Sequence, residues 1–268
     1  MHMNEDRSGR LSGRHILITG GGTGIGAAIA GRLASEGARL SLLARDAGRL
    51  QEVIKGLESS AGADHFSMSC DVRDASSVDA AVQAAAEECG PLYACIANAG
   101  VGGPNGSSDE GGDRWDDLVL TNLSGTYYTL RAALQHLCPE GSARHLVVIS
   151  SILARIGVPG YSGYCASKAG LLGLVRSMSA ELAPSDVQVN AVCPGWVNTS
   201  MATEGIEGMA AGMDMSVEEA RALAMSAVPM GRMSEPEDVA GLVAWLVSKD
   251  ARGVTGQALD MNGGAFMS

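Results

Sequence analysis

Aromatic residues are scarce in this chain, at 4% of its 268 residues. Hydrophobic residues still reach 46%, so Ala, Val, Leu, Ile and the 13 methionines must fill the core in place of rings. No segment approaches the roughly 18 uninterrupted apolar residues of a membrane span, and the opening stretch MHMNEDRSGRLSGRH lacks the apolar centre of a signal peptide. We therefore expect a globular cytoplasmic protein that does not enter a membrane.

Positive charge is also in short supply, because 30 acidic residues outnumber 19 basic ones and give a formal net charge of −11. There is no local Lys/Arg cluster, and an acidic surface repels phosphate backbones, so we expect no nucleic-acid partner. The six cysteines include no C-x-x-C pair, which argues against a zinc site or a redox motif. We expect no metal.

Apolar runs alternate with segments of helical period along the whole chain. The long helices are predicted from Trp115 to Leu137 and from Tyr161 to Leu182. The predicted strands are HILITG, ARLSLLA, HFSMSCDV, LYACIAN, HLVVIS, VQVNAVCPG and a short ALDMNGG. This alternation predicts an α/β fold, a doubly wound Rossmann-type parallel sheet of about seven strands with helices on both faces. In such folds ligands bind outside the carboxyl ends of the strands.

A glycine-rich turn, T-G-G-G-T-G-I-G, follows the first predicted strand and opens a helix. Glycines let a backbone turn tightly and approach a pyrophosphate, whose charge the amides of the helix N-terminus then hold. A simple packing turn is the alternative, but the position after the first strand of an α/β chain favours a phosphate site. The predicted cofactor contacts here are Gly20, Gly22, Thr23, Gly24, Ile25 and Gly26.

Tyr164 and Lys168 are four positions apart on a predicted helix, which places them on one face. A nearby ammonium favours the phenolate and lowers the pKa of a tyrosine, so that Tyr164 can act as an acid and a base near neutral pH. A solvated helix face is the alternative. Ser151 follows the fifth strand and reaches the same edge, where its hydroxyl can hold a substrate oxygen beside Tyr164.

The ordered motifs resemble the short-chain dehydrogenase/reductase family, whose cofactor loop is T-G-x-x-x-G-x-G. Further matches are Asp71-Val72, Asn98-Ala99-Gly100, Asn122, Ser151, Tyr164-x-x-x-Lys168, and Pro194-Gly195 followed by Thr199. The resemblance implies an oxidoreductase that transfers a hydride between a nicotinamide cofactor and a carbonyl or secondary alcohol. An NADPH-dependent ketoreductase similar to polyketide ketoreductases is preferred over an NAD-dependent alcohol or 3-hydroxyacid dehydrogenase. A redox-silent dinucleotide-binding protein is the third alternative.

The resemblance also implies roles for individual residues. The catalytic set is Asn122, Ser151, Tyr164 and Lys168, with Asn122 holding a water in a proton relay to Lys168. The implied cofactor contacts beyond the glycine loop are Arg45, Asp71, Val72, Asn98, Ala99, Gly100, Tyr164, Lys168, Pro194, Gly195, Val197 and Thr199. Substrate contacts are assigned to Ser151, Leu153, Tyr161 and Trp196, and Arg155 is a candidate partner for an acidic group of the substrate. The family's usual assembly is a homotetramer, with a dimer as the alternative.

The end of the second strand decides between the two cofactors. Ala44 and Arg45 stand where NAD-dependent relatives place a carboxylate, and a guanidinium can pair with the 2′-phosphate of NADP. NADP is therefore predicted. NAD remains the alternative, because Asp46 takes the carboxylate role if the strand ends later and because Thr23 stands where many NADP-using relatives have a basic residue.

One dinucleotide-binding and catalytic domain is predicted over residues 15–268, after a disordered or tag-derived tail over residues 1–14. Within it, the Met-rich stretch of about residues 199–233 follows a strand, so it lies at the edge where ligands bind. Thioethers on a glycine-punctuated segment suit a mobile lid over an apolar substrate. Ordinary helix packing is the equal alternative.

Overall fold

A computed structural model describes residues 9–57, 64–106, 112–139 and 143–267 of the chain. Its centre is a seven-stranded sheet in which all neighbouring strands are parallel. The strands are β1 (His15–Thr19), β2 (Arg39–Ala44), β3 (Phe66–Ser69), β4 (Ala94–Ala97), β5 (Arg144–Ile149), β6 (Val187–Pro194) and β7 (Ala258–Met261). Their spatial order is β3-β2-β1-β4-β5-β6-β7, so the order reverses between β1 and β4. The predicted doubly wound α/β fold is confirmed.

Helices cover both faces of the sheet. They are α1 (Gly24–Ser35), α2 (Ala47–Gly56), α3 (Ala75–Cys89), α4 (Trp115–Val119), α5 (Gly125–Leu134), α6 (Ser162–Leu182), α7 (Ser200–Met213), α8 (Val217–Ser226) and α9 (Pro236–Leu246). Successive residues of β1 face opposite layers: Ile16 and Ile18 pack with α1 and α9, and Leu17 packs with α3, α5 and α6. This alternation explains why the strands are apolar throughout.

The predicted helix from Trp115 to Leu137 is not a single α-helix. A π-helical turn, Leu120–Ser124, separates α4 from α5, which ends at Leu134. The turn contains Asn122, whose side chain is bonded to the loop after β4 rather than turned to solvent. The helix is therefore broken because the Asn122 side chain bonds to this loop, and helical periodicity does not reveal such a contact.

The folded domain begins before His15, the predicted boundary. Residues 1–8 of the predicted tail lie outside the described residues, but the turns from Gly9 onward are part of the fold. Leu11 is only 2% exposed and joins the core beside α1. Its amide donates to the Glu36 carbonyl, with 2.8 Å between N and O. Burial of this single leucine corrects a prediction that rested on the polarity of its neighbours.

The third strand is shorter than the predicted HFSMSCDV, because the chain turns after Cys70 and the Asp74 amide bonds back to the Asp71 carbonyl. The Met-rich stretch forms α7 and α8, which pack on each other through a small cluster of their own. Met209, Met215 and Met225 contact this cluster. No described helix has the length and apolar character needed to cross a membrane.

Candidate active site

The glycine-rich turn lies between β1 and α1, at the point where the strand order reverses. Gly20 has a φ of +68°, in the left-handed region that favours glycine. A Cβ on Gly26 would lie 2.1 Å from the Gly20 carbonyl oxygen, so the turn can close only with glycine there. The Asn98 side-chain amide donates to the carbonyls of Thr19 and Gly20, each at 3.1 Å. Asn98 therefore fixes the turn, and its predicted contact with the cofactor stays a prediction.

The N-terminus of α1 can accept an anion. Thr23 stands at its N-cap without a side-chain capping bond, whereas Asp46 caps α2 and Asp74 caps α3. Its first amides therefore have no capping side chain, which is compatible with the predicted pyrophosphate site. Gly24 has a φ of +51°, and a Cβ there would lie 3.2 Å from Cγ2 of Thr199. The turn thus reaches the start of α7.

The second strand, β2, ends at the residue that the sequence predicted. The strand ends at Ala44, and Arg45 follows with its side chain exposed. The Asp46 carboxylate accepts the Arg49 amide at 3.1 Å as the N-cap of α2 and faces the Arg49 guanidinium at 3.4 Å. Arg45 lies close enough to Asp71 to help hold the pKa of that carboxyl below its usual range. Arg45 therefore remains the predicted partner for the 2′-phosphate of NADP.

Asp71 is bound more tightly than the sequence suggested. Its carboxylate accepts four hydrogen bonds from Arg73: one from the backbone amide at 3.0 Å, two from Nε at 3.0 and 3.1 Å, and one from Nη2 at 2.7 Å. The side-chain bonds from Arg73 are the main reason that the pKa of Asp71 is lowered. Val72 is 7% exposed and packs against Gly125 at the start of α5. The predicted cofactor contacts of Asp71 and Val72 stay predictions, and Arg73 is an additional partner of Asp71.

Ser150 and Ser151 follow β5, and the structure separates their roles. The Ser150 hydroxyl donates to the Lys168 carbonyl at 3.0 Å and so ties α6 to the sheet. The Ser151 hydroxyl accepts the Leu153 amide at 3.1 Å and lies close enough to the Tyr164 phenol to lower its pKa. Ser151 is therefore the serine that faces Tyr164.

Tyr164 and Lys168 lie on one face of α6, with Lys168 Nζ 5.8 Å from the centre of the Tyr164 ring. Burial raises the pKa of Tyr164, and the Ser151 hydrogen bond opposes the rise. The net shift of the Tyr164 pKa is therefore upward, opposite to the predicted lowering, because desolvation is its largest cause. Burial also lowers the pKa of Lys168 to about 8, and Nζ donates to the Ile149 carbonyl at 2.9 Å.

Asn122 is fully buried and completely bonded. Its Oδ1 accepts the Val101 amide at 2.8 Å, and its Nδ2 donates to the Val101 carbonyl at 3.0 Å and to Ser167 Oγ at 3.1 Å. Gly100 lies beside it, where a Cβ would be 3.1 Å from Asn122 Oδ1 and 3.4 Å from Lys168 Nζ. The Asn122 side chain thus holds the loop after β4 against α6.

The remaining predicted contacts follow β6. Val197 is 4% exposed and its backbone bridges to Ser234, so its side chain belongs to the core. Gly195 lies so close to Asn262 that a Cβ would approach its Cα to 2.9 Å. Thr199 caps α7, accepting the Ala202 amide at 3.4 Å. Pro194 is the last residue of β6. Ala99, in the loop after β4, donates its backbone amide to Thr19 Oγ1 at 3.3 Å.

The predicted substrate contacts lie on segments that follow β5 and β6. Leu153 and Tyr161 are partly exposed on the segments that precede α6, and Trp196 packs against Gly205 of α7. Arg155 is not available to a substrate as suggested. It bonds to Asp260 Oδ1 at 3.2 Å and to the Ala258 carbonyl at 2.9 Å, which ties it to β7.

Sequence reasoning missed the partners that hold the site. Thr19, Val101 and Arg73 each bond to a predicted site residue. Thr19 belongs to the quoted loop motif, and its place at the strand end was a usable signal. Nothing in the composition around Val101 or Arg73 distinguishes them, because one acts through its backbone and the other is a surface arginine by pattern. No group of metal-ligating side chains is found among the residues described above.

Comparison with known proteins places this site in a family. A family profile described as enoyl-(acyl carrier protein) reductase matches residues 20–265. The chain is 37% identical to a putative ketoacyl reductase of the monensin polyketide synthase of Streptomyces virginiae, over 94% of this chain and 96% of that one. It is also 37% identical to 2-(S)-hydroxypropyl-CoM dehydrogenase 3 of Xanthobacter autotrophicus, over 96% of this chain and 98% of that one.

Among solved structures, a variant of actinorhodin polyketide ketoreductase with NADPH superposes with a TM-score of 0.86 at 36% identity. The match covers 96% of this chain and 98% of that one. Sequence profile, relatives and fold agree over nearly the whole length. The chain therefore belongs to the short-chain dehydrogenase/reductase family.

Proposed function

We propose that this protein is an NADPH-dependent ketoreductase that converts a carbonyl to a secondary alcohol, with Tyr164 as its acid/base. One observation carries the proposal. The Ser151 hydroxyl, the Tyr164 phenol and the buried Lys168 amine meet at the carboxyl edge of the sheet, beside the glycine-rich turn. A redox-silent binding protein has no use for this set, and each of its members is present.

The glycine-rich turn and the uncapped start of α1 hold the pyrophosphate, and Arg45 pairs with the 2′-phosphate. The Asp71 side chain is 35% exposed, but Arg73 already makes four hydrogen bonds to it, so an adenine amino group would have to share these acceptors with Arg73. Thr199 lies against Gly24 and would contact the nicotinamide end of the cofactor. A reduced nicotinamide bound here would supply the hydride to the carbonyl carbon.

The protein's own residues then handle the oxygen and its proton. Ser151 donates a hydrogen bond to the substrate oxygen and holds it beside Tyr164. Because burial raises the pKa of Tyr164, its neutral phenol is the form present at neutral pH, ready to donate a proton to the forming alkoxide. The resulting phenolate lies near the Lys168 ammonium, which stabilises it. The Asn122 side chain already bonds to Val101 and Ser167. A water relay to Lys168 would therefore use polar groups other than this side chain.

The substrate enters between the Leu153 to Tyr161 segment and Trp196, under a lid formed by α7 and α8. Exposed Met201 and Met213 give this lid an apolar surface. We also propose a cytoplasmic homotetramer. The tetramer is supported by the apolar surface of α4 and the following helical turns, where Trp115, Leu120 and Tyr127 are 38% to 45% exposed. The cytoplasmic location is supported by the unpaired state of all six cysteines.

A panel of aliphatic, aromatic and β-keto carbonyls, assayed by loss of NADPH or NADH absorbance, tests the function. Secondary alcohols with the oxidised cofactors test the reverse direction. Turnover with Tyr164→Phe is expected to fall by roughly two to four orders of magnitude while cofactor affinity is kept, because only the proton donor is lost. Tyr128→Phe on α5, outside the proposed site, is the matched control. Parent-like turnover of Tyr164→Phe would exclude Tyr164 as the acid/base.

A further inference from the structure

Helix α6, which carries Tyr164 and Lys168, begins without a cap of its own. Tyr161 stands at its N-cap, and within the described part of the chain the Tyr161 side chain makes no capping bond. The first amides of a helix have no partner inside it and need an acceptor from elsewhere. The Gly163 amide finds one in Oδ1 of Asn105, at 2.7 Å and 58 positions away in the sequence.

Asn105 is itself anchored on several sides. Its amide donates to the Gly160 carbonyl at 2.8 Å, and its carbonyl accepts the Arg114 amide at 2.7 Å. Its Nδ2 donates to Asp113 Oδ1 at 3.1 Å. The side chain is therefore held between the loop after β4, the turn before α6 and the start of α4.

Gly163 makes this close approach possible. A Cβ at Gly163 would lie 3.1 Å from Asn105 Oδ1 and 3.1 Å from Cδ1 of Leu118. Such distances are tighter than ordinary van der Waals contact, so a larger residue would push Asn105 away. The residue that follows Gly163 is Tyr164, and the first turn of a helix is the part that frays when it lacks a cap.

We propose that Asn105 is a positioning residue: by capping α6 from the loop after β4, it keeps the Tyr164 hydroxyl against Ser151. The inference rests on the proposed function, because it assigns Tyr164 as the acid/base. It goes beyond that function because it assigns the alignment of the Tyr164 hydroxyl to a contact from the loop after β4. A disturbance of this loop is then transmitted to Tyr164 through one hydrogen bond.

The test is kinetic. Asn105→Ala is expected to lower kcat roughly three- to thirtyfold at saturating cofactor, the range that loss of a helix cap allows. The dissociation constant for NADPH should stay within about twofold, because the glycine-rich turn does not contact Asn105. Parent-like kcat in a variant whose melting temperature has fallen would overturn the inference, and it would leave the Tyr164→Phe test of the function untouched.

A reciprocal exchange separates positioning from general stability. Asn105→Asp alone keeps the acceptor but sets two carboxylates against each other, so kcat should fall. Adding Asp113→Asn restores a donor to that acceptor, and kcat should return to within about threefold of the parent. If the double variant regains the parent melting temperature without regaining kcat, the inference is wrong. This pair also serves if Asn105→Ala does not fold.

Asp74→Ala is the matched control. Asp74 caps α3 through the Ser76 amide at 2.9 Å, and α3 carries none of the proposed site residues. Its loss should lower the melting temperature by a similar amount and leave kcat at saturating cofactor within about twofold. An equal loss of kcat in Asp74→Ala and Asn105→Ala would assign both effects to destabilisation and reject the positioning role.

Discussion

At the scale of single residues, environment sets the chemistry of the site as much as identity does. The sequence predicted the pair Tyr164 and Lys168 from their spacing, and it predicted Ser151 at the end of the fifth strand. It could not predict the direction in which the pKa of Tyr164 moves, because spacing reports which groups are near and not how much water has been removed. Burial raises the pKa of Tyr164 and lowers that of Lys168.

The buried amine of Lys168 should make stability depend on pH. Its pKa is about 8 in the folded protein and 10.5 as a reference, so between these values the unfolded chain binds more protons. The free energy of unfolding therefore rises with pH in this window. Below about pH 8, Lys168 is protonated in both states and contributes no pH dependence. Denaturant titrations from pH 7 to 10 measure the slope.

Lys168→Met should remove this slope and raise stability at pH 7 by up to about 3 kcal/mol, since about 1.4 kcal/mol accompanies each pKa unit. The lost bond to the Ile149 carbonyl offsets part of that gain. Turnover should be lost. A parent and a variant with the same pH slope would show that Lys168 is not a buried ammonium.

Cofactor choice is a second property of single residues. Ala44→Asp with Arg45→Ala replaces attraction for a 2′-phosphate by repulsion, so kcat/KM for NADPH should fall roughly ten- to a hundredfold while that for NADH rises. Both constants are measured in both proteins, with Arg49→Ala as the control on the neighbouring helix. A parent that already prefers NADH would transfer the ribose contact to Asp46 and leave Arg45 as a solvated residue.

At the scale of elements, the hydrogen bonds of Asn122 explain a break that periodicity could not reveal. The apolar pattern from Trp115 to Leu137 is continuous, so the sequence predicted one helix. The π-helical turn brings a buried amide side chain to the Val101 backbone, where it satisfies both a donor and an acceptor. The helix departs from regular α-helical geometry here because the amide and carbonyl of Val101, which are partly buried, need partners.

Removal of this side chain should release the loop. Asn122→Ala leaves the Val101 amide and carbonyl without partners, at a cost of roughly 1 to 3 kcal/mol. Hydrogen exchange of the Val101 amide should accelerate, which mass spectrometry of a peptide covering the loop can measure. Thr129→Val is the control, because it removes a comparable buried bond, to the Gly125 carbonyl at 2.8 Å, elsewhere on the same helix pair. Unchanged exchange at Val101 would contradict the assignment.

At the scale of the whole molecule, the sheet and the place of the site followed from the sequence, because alternating apolar runs and helices leave few topologies. The carboxyl ends of β1 and β4 meet where the strand order reverses, and the glycine-rich turn and Asn98 come from those two ends. Contacts between distant segments did not follow. Asn105 with Gly163, Arg155 with Asp260 and Leu11 with the core each depend on three-dimensional placement that no local pattern encodes.

The π-helical turn also constrains how this chain can vary in length. Each residue of an α-helix turns the chain by about 100°, so deleting one residue between Trp115 and Asn122 would rotate Asn122 by about that angle, away from Val101. A one-residue insertion at the same place would do the same in the opposite sense. Substitutions on the outer surface of this segment are compatible with the fold, but insertions and deletions are not. The number of residues here is fixed more strictly than their identity.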